Sequence, residues 1–147
     1  MLRYTVLILF LLCFSSLLHL HADVAVGIIV GEPTGISFKY DNFPVLGVAW
    51  SFENYFHVHV DFWLLNPVLS EPVTWFLGVG GKAKFYFDEA RQREEDSGFA
   101  LGVRVPVGIQ YIFETHYELF LEVAPGIELF PATEFDIDFG IGFRYHF

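Results

Sequence analysis

The sequence predicts an all-β chain, an eight-stranded antiparallel up-and-down transmembrane β-barrel. Apolar and polar residues alternate through nearly all of residues 23–147. Glycine and charge fall together on one face of that alternation. The chain then closes on a long alternating segment, Glu134 to Phe147, whose odd positions are Phe135, Ile137, Phe139, Ile141, Phe143, Tyr145 and Phe147. Side chains alternate faces along a strand, so this segment has one apolar face and one charged or bare face. That is the pattern of a membrane barrel's closing strand. An aromatic in the last position, here Phe147, also serves as a signal to the barrel-assembly machinery.

Before the barrel comes a leader. Arg3 supplies a positive charge, Thr5 to Leu18 are almost unbroken apolar, and His19-Leu20-His21-Ala22 close with a small residue before Asp23. This is the layout of a secretory signal peptide cleaved after Ala22, leaving residues 23–147 as one exported domain. The apolar run is shorter than the ~20 residues a spanning helix needs. Cys13, the only cysteine, stands between Leu12 and Phe14, a poor context for lipid attachment. Once the leader is removed no thiol remains, so disulfides and cysteine-held metals are excluded.

Charge narrows the partners. Of eight Lys/Arg, Arg3 is lost with the leader, so seven face eighteen Asp/Glu, a net charge of −11. Nucleic acid is excluded as a partner on that balance. Such acidity beside 19% aromatic residues fits a barrel with lipid outside and charge inside.

In chain order, the strands are expected at Val24–Gly31, Gly35–Asp41, Val45–Glu53, Tyr55–Leu65, Val73–Phe87, Phe99–Phe113, Tyr117–Phe130 and Glu134–Phe147. An even number is what a closed bacterial barrel requires. Pro33 and Gly35 sit at turn positions, Asp41 to Pro44 and Glu53-Asn54 make further tight turns, and Asn66 to Pro72 is a longer linker. Residues 88–98 form the hydrophilic loop, with Asp88, Glu89, Arg91, Arg93, Glu94, Glu95 and Asp96. If the N-terminus starts in the periplasm, this loop lies outside the cell, the element available to an extracellular partner. Pro106 and Pro125 fall inside predicted strands, where each is expected to impose a bulge or kink, and the two are expected to be neighbours.

Parity turns eleven of the thirteen glycines inward, Gly81 and Gly98 excepted. The interior of an eight-stranded barrel just holds side chains, and glycine leaves room for long charged ones. A soluble lipocalin-like barrel has the reverse arrangement, apolar inside and polar outside. Trp50, Trp75, Tyr40, Tyr111 and Tyr145 would stand as aromatic girdles at the membrane interfaces, with Trp63 turned inward.

Gly27-Ile28-Ile29-Val30-Gly31-Glu32-Pro33-Thr34-Gly35-Ile36, Arg104-Val105-Pro106-Val107-Gly108, Glu122-Val123-Ala124-Pro125-Gly126 and the Phe-rich terminus carry a resemblance. Together they resemble an uncharacterised family of small spirochaete outer-membrane barrels. The resemblance implies a compact OmpA-type barrel in the outer membrane and brings no enzyme activity or cofactor with it.

Three constellations carry candidate chemistry. His57, His59 and Asp61 lie on one face, ~6.8 Å apart per step. They would form a metal or ligand site if an acid from an adjacent strand or His146 completed it, and a hydrogen-bonded polar stripe otherwise. Lys39, Lys82, Lys84, Arg104 and Arg144 face inward with Asp41, Glu53, Asp61, Glu118, Glu122, Glu128, Asp136 and Asp138. This set reads as a salt-bridged plug, or as a gate or proton wire, and eight strands leave no general pore. Folding the last hairpin about residues 132–133 brings Arg144 near Glu122 and His146 near Glu118. The third is a lipid-modifying hydrolase with Ser51 or Ser37 as nucleophile and His57 or His59 as base. The expectation is a non-enzymatic barrel with a structural or surface-interaction role. The lumenal ligand or metal site and the lipid hydrolase are the alternatives.

Overall fold

The computed structural model describes residues 23–41, 44–52, 55–87 and 98–147. The predicted leader and the charged loop at residues 88–97 lie outside them. Ten strand segments are formed: β1 (Val24–Glu32), β2 (Thr34–Tyr40), β3 (Val45–Trp50), β4 (Tyr55–Leu65), β5 (Val68–Ser70), β6 (Val73–Tyr86), β7 (Phe99–Arg104), β8 (Val107–Phe113), β9 (Tyr117–Phe130) and β10 (Glu134–His146). All pairings are antiparallel, and around the barrel β1, β2, β3, β4 and β6 pair in that order, as do β9 and β10. β7 and β8 are two halves of one barrel strand, both lying between β6 and β9. β5 is a three-residue spur beside β6, inside the segment expected to be a plain linker. β10 pairs with β1 and closes an eight-stranded barrel.

The register gives the barrel its shape. Ala25 lies opposite Lys39, Lys39 opposite Val45, Val45 opposite Asp61, Asp61 opposite Gly80, Gly80 opposite Arg104, Arg104 opposite Gly126, and Gly126 opposite Asp136. β10 meets β1 at Phe139 opposite Glu32, so Asp136 stands level with position 35, ten residues beyond the start. A stagger of that size over eight strands tilts them by about 40° and advances about 2.5 Å along the axis per residue. The wall is therefore uneven. β6, β9 and β10 run 14, 14 and 13 residues, whereas β2 and β3 run seven and six. One side stands about 35 Å tall and the other about 15–18 Å.

Parity holds on the barrel strands, the spur β5 being exposed throughout. Ile28, Ile36, Leu46, Leu64, Val79, Leu101, Ile109, Leu121 and Ile141 are exposed on the outer wall, so an apolar belt runs all the way round. Ala25, Lys39, Ala49, His57, Lys82, Arg104, Glu122 and Arg144 are buried inside. Some inward glycines sit beneath large side chains from the next strand, and others, such as Gly27 and Gly102, lie against its backbone. A Cβ on Gly142 would overlap the Phe120 ring opposite it, and one on Gly108 would overlap Phe76.

Two expectations about this wall need correction. No bulge forms at Pro106 or Pro125. The ladder pauses between Arg104 and Val107, yet the register against β6 and β9 is the same on both sides of the pause. Pro125 lies within continuous β9, paired with Ile137. The prolines are indeed neighbours. Val105 donates to the Pro125 carbonyl (2.9 Å) and Gly78 to the Pro106 carbonyl (2.8 Å). Each proline uses the carbonyl half of its pair and forgoes the N–H half, which costs one bond and leaves the spacing intact. Asp41 is the second correction. It is exposed at a turn with φ of 51° instead of facing the lumen, and its Oδ1 accepts from the Asp23 backbone N–H (2.9 Å). β3 also stops at Trp50, short of the expected Glu53, which lies outside the described residues.

Candidate functional site

The functional candidate is the filled interior, built around two centres of opposite sign. At the end that carries Asp23 and Phe147, β9 holds Glu118 fully buried. Its Oε2 meets Lys39 Nζ at 2.9 Å and His146 Nε2 at 2.7 Å, and its Oε1 meets Arg144 Nη1 at 2.5 Å. The cations are held from behind. Lys39 also donates to Gln110 Oε1 (3.1 Å), Arg144 Nε donates to Ser37 Oγ (3.0 Å), and His146 Nδ1 lies 2.8 Å from Asp23 Oδ1.

Further along the axis, β7 supplies Arg104, 1% exposed. Its Nε lies 3.2 Å from Asp61 Oδ1, its Nη1 lies 3.1 Å from Asp138 Oδ2, and its Nη2 pairs with Glu122. Lys82 pairs with Asp136 and lies 3.9 Å from Asp138, while Lys84 contacts both Asp136 and Glu128 at 2.6 Å. Toward the rim, the Tyr55 hydroxyl donates to Glu32 Oε1 (3.3 Å), and the Ser51 hydroxyl bonds the same oxygen.

An aromatic layer separates the centres. Trp63 stacks on Phe76 with ring centres 4.1 Å apart, Lys39 lies 4.6 Å over Trp63, and the Arg144 guanidinium lies 3.7 Å over Phe120. The cationic heads rest on ring faces, which favours both partners in a dry interior.

All nine residues expected in the lumen cluster, Lys39, Lys82, Lys84, Arg104, Glu118, Glu122, Asp136, Asp138 and Arg144, are joined in ion pairs. The pairing within the last hairpin differs from expectation. β9 and β10 pair Arg144 with Glu118, not with Glu122, because the turn centres on Pro131 rather than on residues 132–133. His146 does reach Glu118.

His57, His59 and Asp61 point inward as a stripe. His57 Nε2 lies 3.1 Å from His59 Nδ1, and His59 Nε2 lies 3.5 Å from Asp61 Oδ2. Arg104 is the group that joins them, 3.5 Å from His59 Nδ1 and against Asp61. A guanidinium among the donors opposes a metal cation, and among the described residues no three His, Cys, Asp or Glu side chains are placed to hold one. As placed, His57, His59 and Asp61 form a polar stripe, with Asp61 ion-paired to Arg104. Phe76, Phe120 and Gln110 are interior residues that a search for charge and glycine passes over. Their even positions on inward-facing parity were the available signal.

The chain matches a family described as "Protein of unknown function (DUF3996)" over residues 17–147, and it belongs to that family. No curated protein and no solved structure matches it.

Proposed function

We propose that this member of a family of unknown function is a small outer-membrane β-barrel that spans the membrane with its strands. Its role on this reading is structural or surface-interacting, without enzymatic turnover. The observation that carries the reading is the unbroken apolar belt around a closed barrel whose buried charges are paired inside. Shielding that belt from water would need a second layer, whereas lipid covers it as it stands. Along β10 the outward apolar row from Phe135 to Tyr145 rises about 25 Å, the height of a membrane barrel's apolar band. Aromatic side chains collect at both rims. Trp50, Phe87 and Phe135 stand at one, and Tyr111, Tyr117, Tyr145 and Phe147 at the other, the latter in a run of ring contacts through Phe113 and Phe143.

The two charge centres and the aromatic layer occupy the cross-section, so the lumen acts as a plug that braces the wall. Export through a leader cleaved after Ala22 and insertion guided by the Phe147 strand complete the proposal. The loop at residues 88–98 is the extracellular element offered to a partner. Comparing boiled and unboiled samples on a gel, with and without detergent micelles or lipid vesicles, tests the membrane placement. A heat-modifiable, β-rich species that forms only with amphiphile is expected. A compact β-protein in plain buffer would overturn it.

A further inference from the structure

The unequal wall leaves a strand edge uncovered. β10 pairs with β1 only as far as Phe139 opposite Glu32, because β1 ends there and the chain turns back into β2. β10 itself continues to Glu134, and these last residues are paired with β9 alone. The direction of their backbone groups follows from the other end of the strand. Phe147 N–H bonds Val24 of β1, while His146 N–H bonds His116 on the β9 side. Odd residues of β10 therefore direct N–H and C=O toward β1, and at Ile137 and Phe135 no strand of the described residues pairs there to receive them. A barrel normally removes its edges by closing, and this one closes only up to the β1–β2 turn.

Beside the edge the inner wall has excess acid. Among the described residues at this end, six carboxylates, those of Glu32, Asp61, Glu122, Glu128, Asp136 and Asp138, face three cations, Lys82, Lys84 and Arg104. Glu32 stands at the foot of the gap. Among the described residues its carboxylate meets the hydroxyls of Ser51 and Tyr55 and no cation. A narrow cleft past Glu32, Pro33 and Phe139 leads inward to Asp138 and Arg104.

We propose that the Phe135–Ile137 edge of β10 accepts an extended segment of a partner protein as an added strand, one that alternates apolar and basic side chains. Main-chain bonds to Ile137 and Phe135 hold the segment. Its apolar side chains lie beside Phe135 and Ile137 on the outer face, and its basic ones turn inward beside Asp136, Asp138 and Glu32. A second copy of this chain fits poorly, since pairing two such edges sets Glu134, Asp136 and Asp138 against their own like charges. The edge follows from register alone, and on the proposed membrane placement it lies at the rim of the belt with Phe135.

The test is a fluorescence anisotropy titration of a labelled peptide of alternating valine and lysine against the protein folded in uncharged detergent micelles. A valine–glutamate peptide of equal length is the comparison. Saturable binding of the lysine peptide alone is expected. Ile137→Pro removes only an edge-facing N–H, because this residue makes no ladder bond to β9, and it should weaken binding about tenfold or more with β-sheet circular dichroism unchanged. Phe135→Pro, nearer the rim, serves the same purpose if Ile137→Pro fails to fold. Glu32→Gln should weaken binding without touching the edge. The proposal is overturned by no binding, by equal binding of the two peptides, or by proline variants that bind as well as the parent. It is also overturned if light scattering shows a dimer that the proline variants dissociate, since the occupant is then a second copy.

Discussion

Glu118 and Arg104 invert each other's chemistry inside one narrow lumen. Glu118 is a single carboxylate gathered by a lysine, an arginine and a histidine, and Arg104 is a single guanidinium gathered by three carboxylates. Both centres are almost wholly buried. They differ in reserves. Around Glu118, Gln110, Ser37 and Asp23 give the cations second partners. Around Arg104, Asp138 also meets Lys82 at 3.9 Å, while Glu122 has Arg104 as its ion-pair partner among the described residues. A buried hub is worth most where its satellites have least else to pair with, because stranding a buried charge costs several kcal/mol.

Arg104→Met should therefore do the greatest damage. Three carboxylates would face one another without their guanidinium, and a loss of about 3–5 kcal/mol or outright failure to fold is expected. Urea titration of the micelle-folded protein, read by gel mobility, measures it. A loss below about 1 kcal/mol would show that water reaches this centre and that the two hubs are not alike in burial.

Glu118→Gln should cost less, about 2–3 kcal/mol in the same titration. The amide keeps an acceptor for Lys39 or Arg144, and His146 can shed its proton while Asp23 remains beside it. If the two variants prove equally damaging, the reserve partners contribute nothing.

The aromatic layer between the hubs gives the next effect. Gly142→Ala places a methyl in the volume of the Phe120 ring, and a loss of about 1–3 kcal/mol is expected. Combining it with Phe120→Leu should recover part of that loss. A double-mutant cycle with no coupling would mean the ring moves aside freely.

Smallest is Pro125→Ala. It restores the N–H absent from the Val105 pair, and a gain of about 0.5–1 kcal/mol in the urea midpoint is expected. A loss instead would show that the fixed proline backbone helps carry the wall past the pause beside Arg104.

Much of this arrangement is legible in the amino-acid order. The alternation of β4 and β10 places His57, His59 and Asp61 on one face and Phe135 to Tyr145 on the other, and glycine tracks with charge. Parity is local, decided by neighbouring residues along one strand. Pairing is not local. Arg144 meets Glu118 because the β9–β10 turn centres on Pro131, and a shift of a residue or two in a turn is invisible to alternation. Arg104 becomes the partner of His59 and Asp61 only when β6 falls between β4 and β7 and sets Gly80 between Asp61 and Arg104.

Alternation, then, decides which side chains face in and which face out, because a strand has only two faces. Closure decides which inward groups meet and where an edge stays open. The eight pairings must agree around a circle, and no single segment of chain contains that condition.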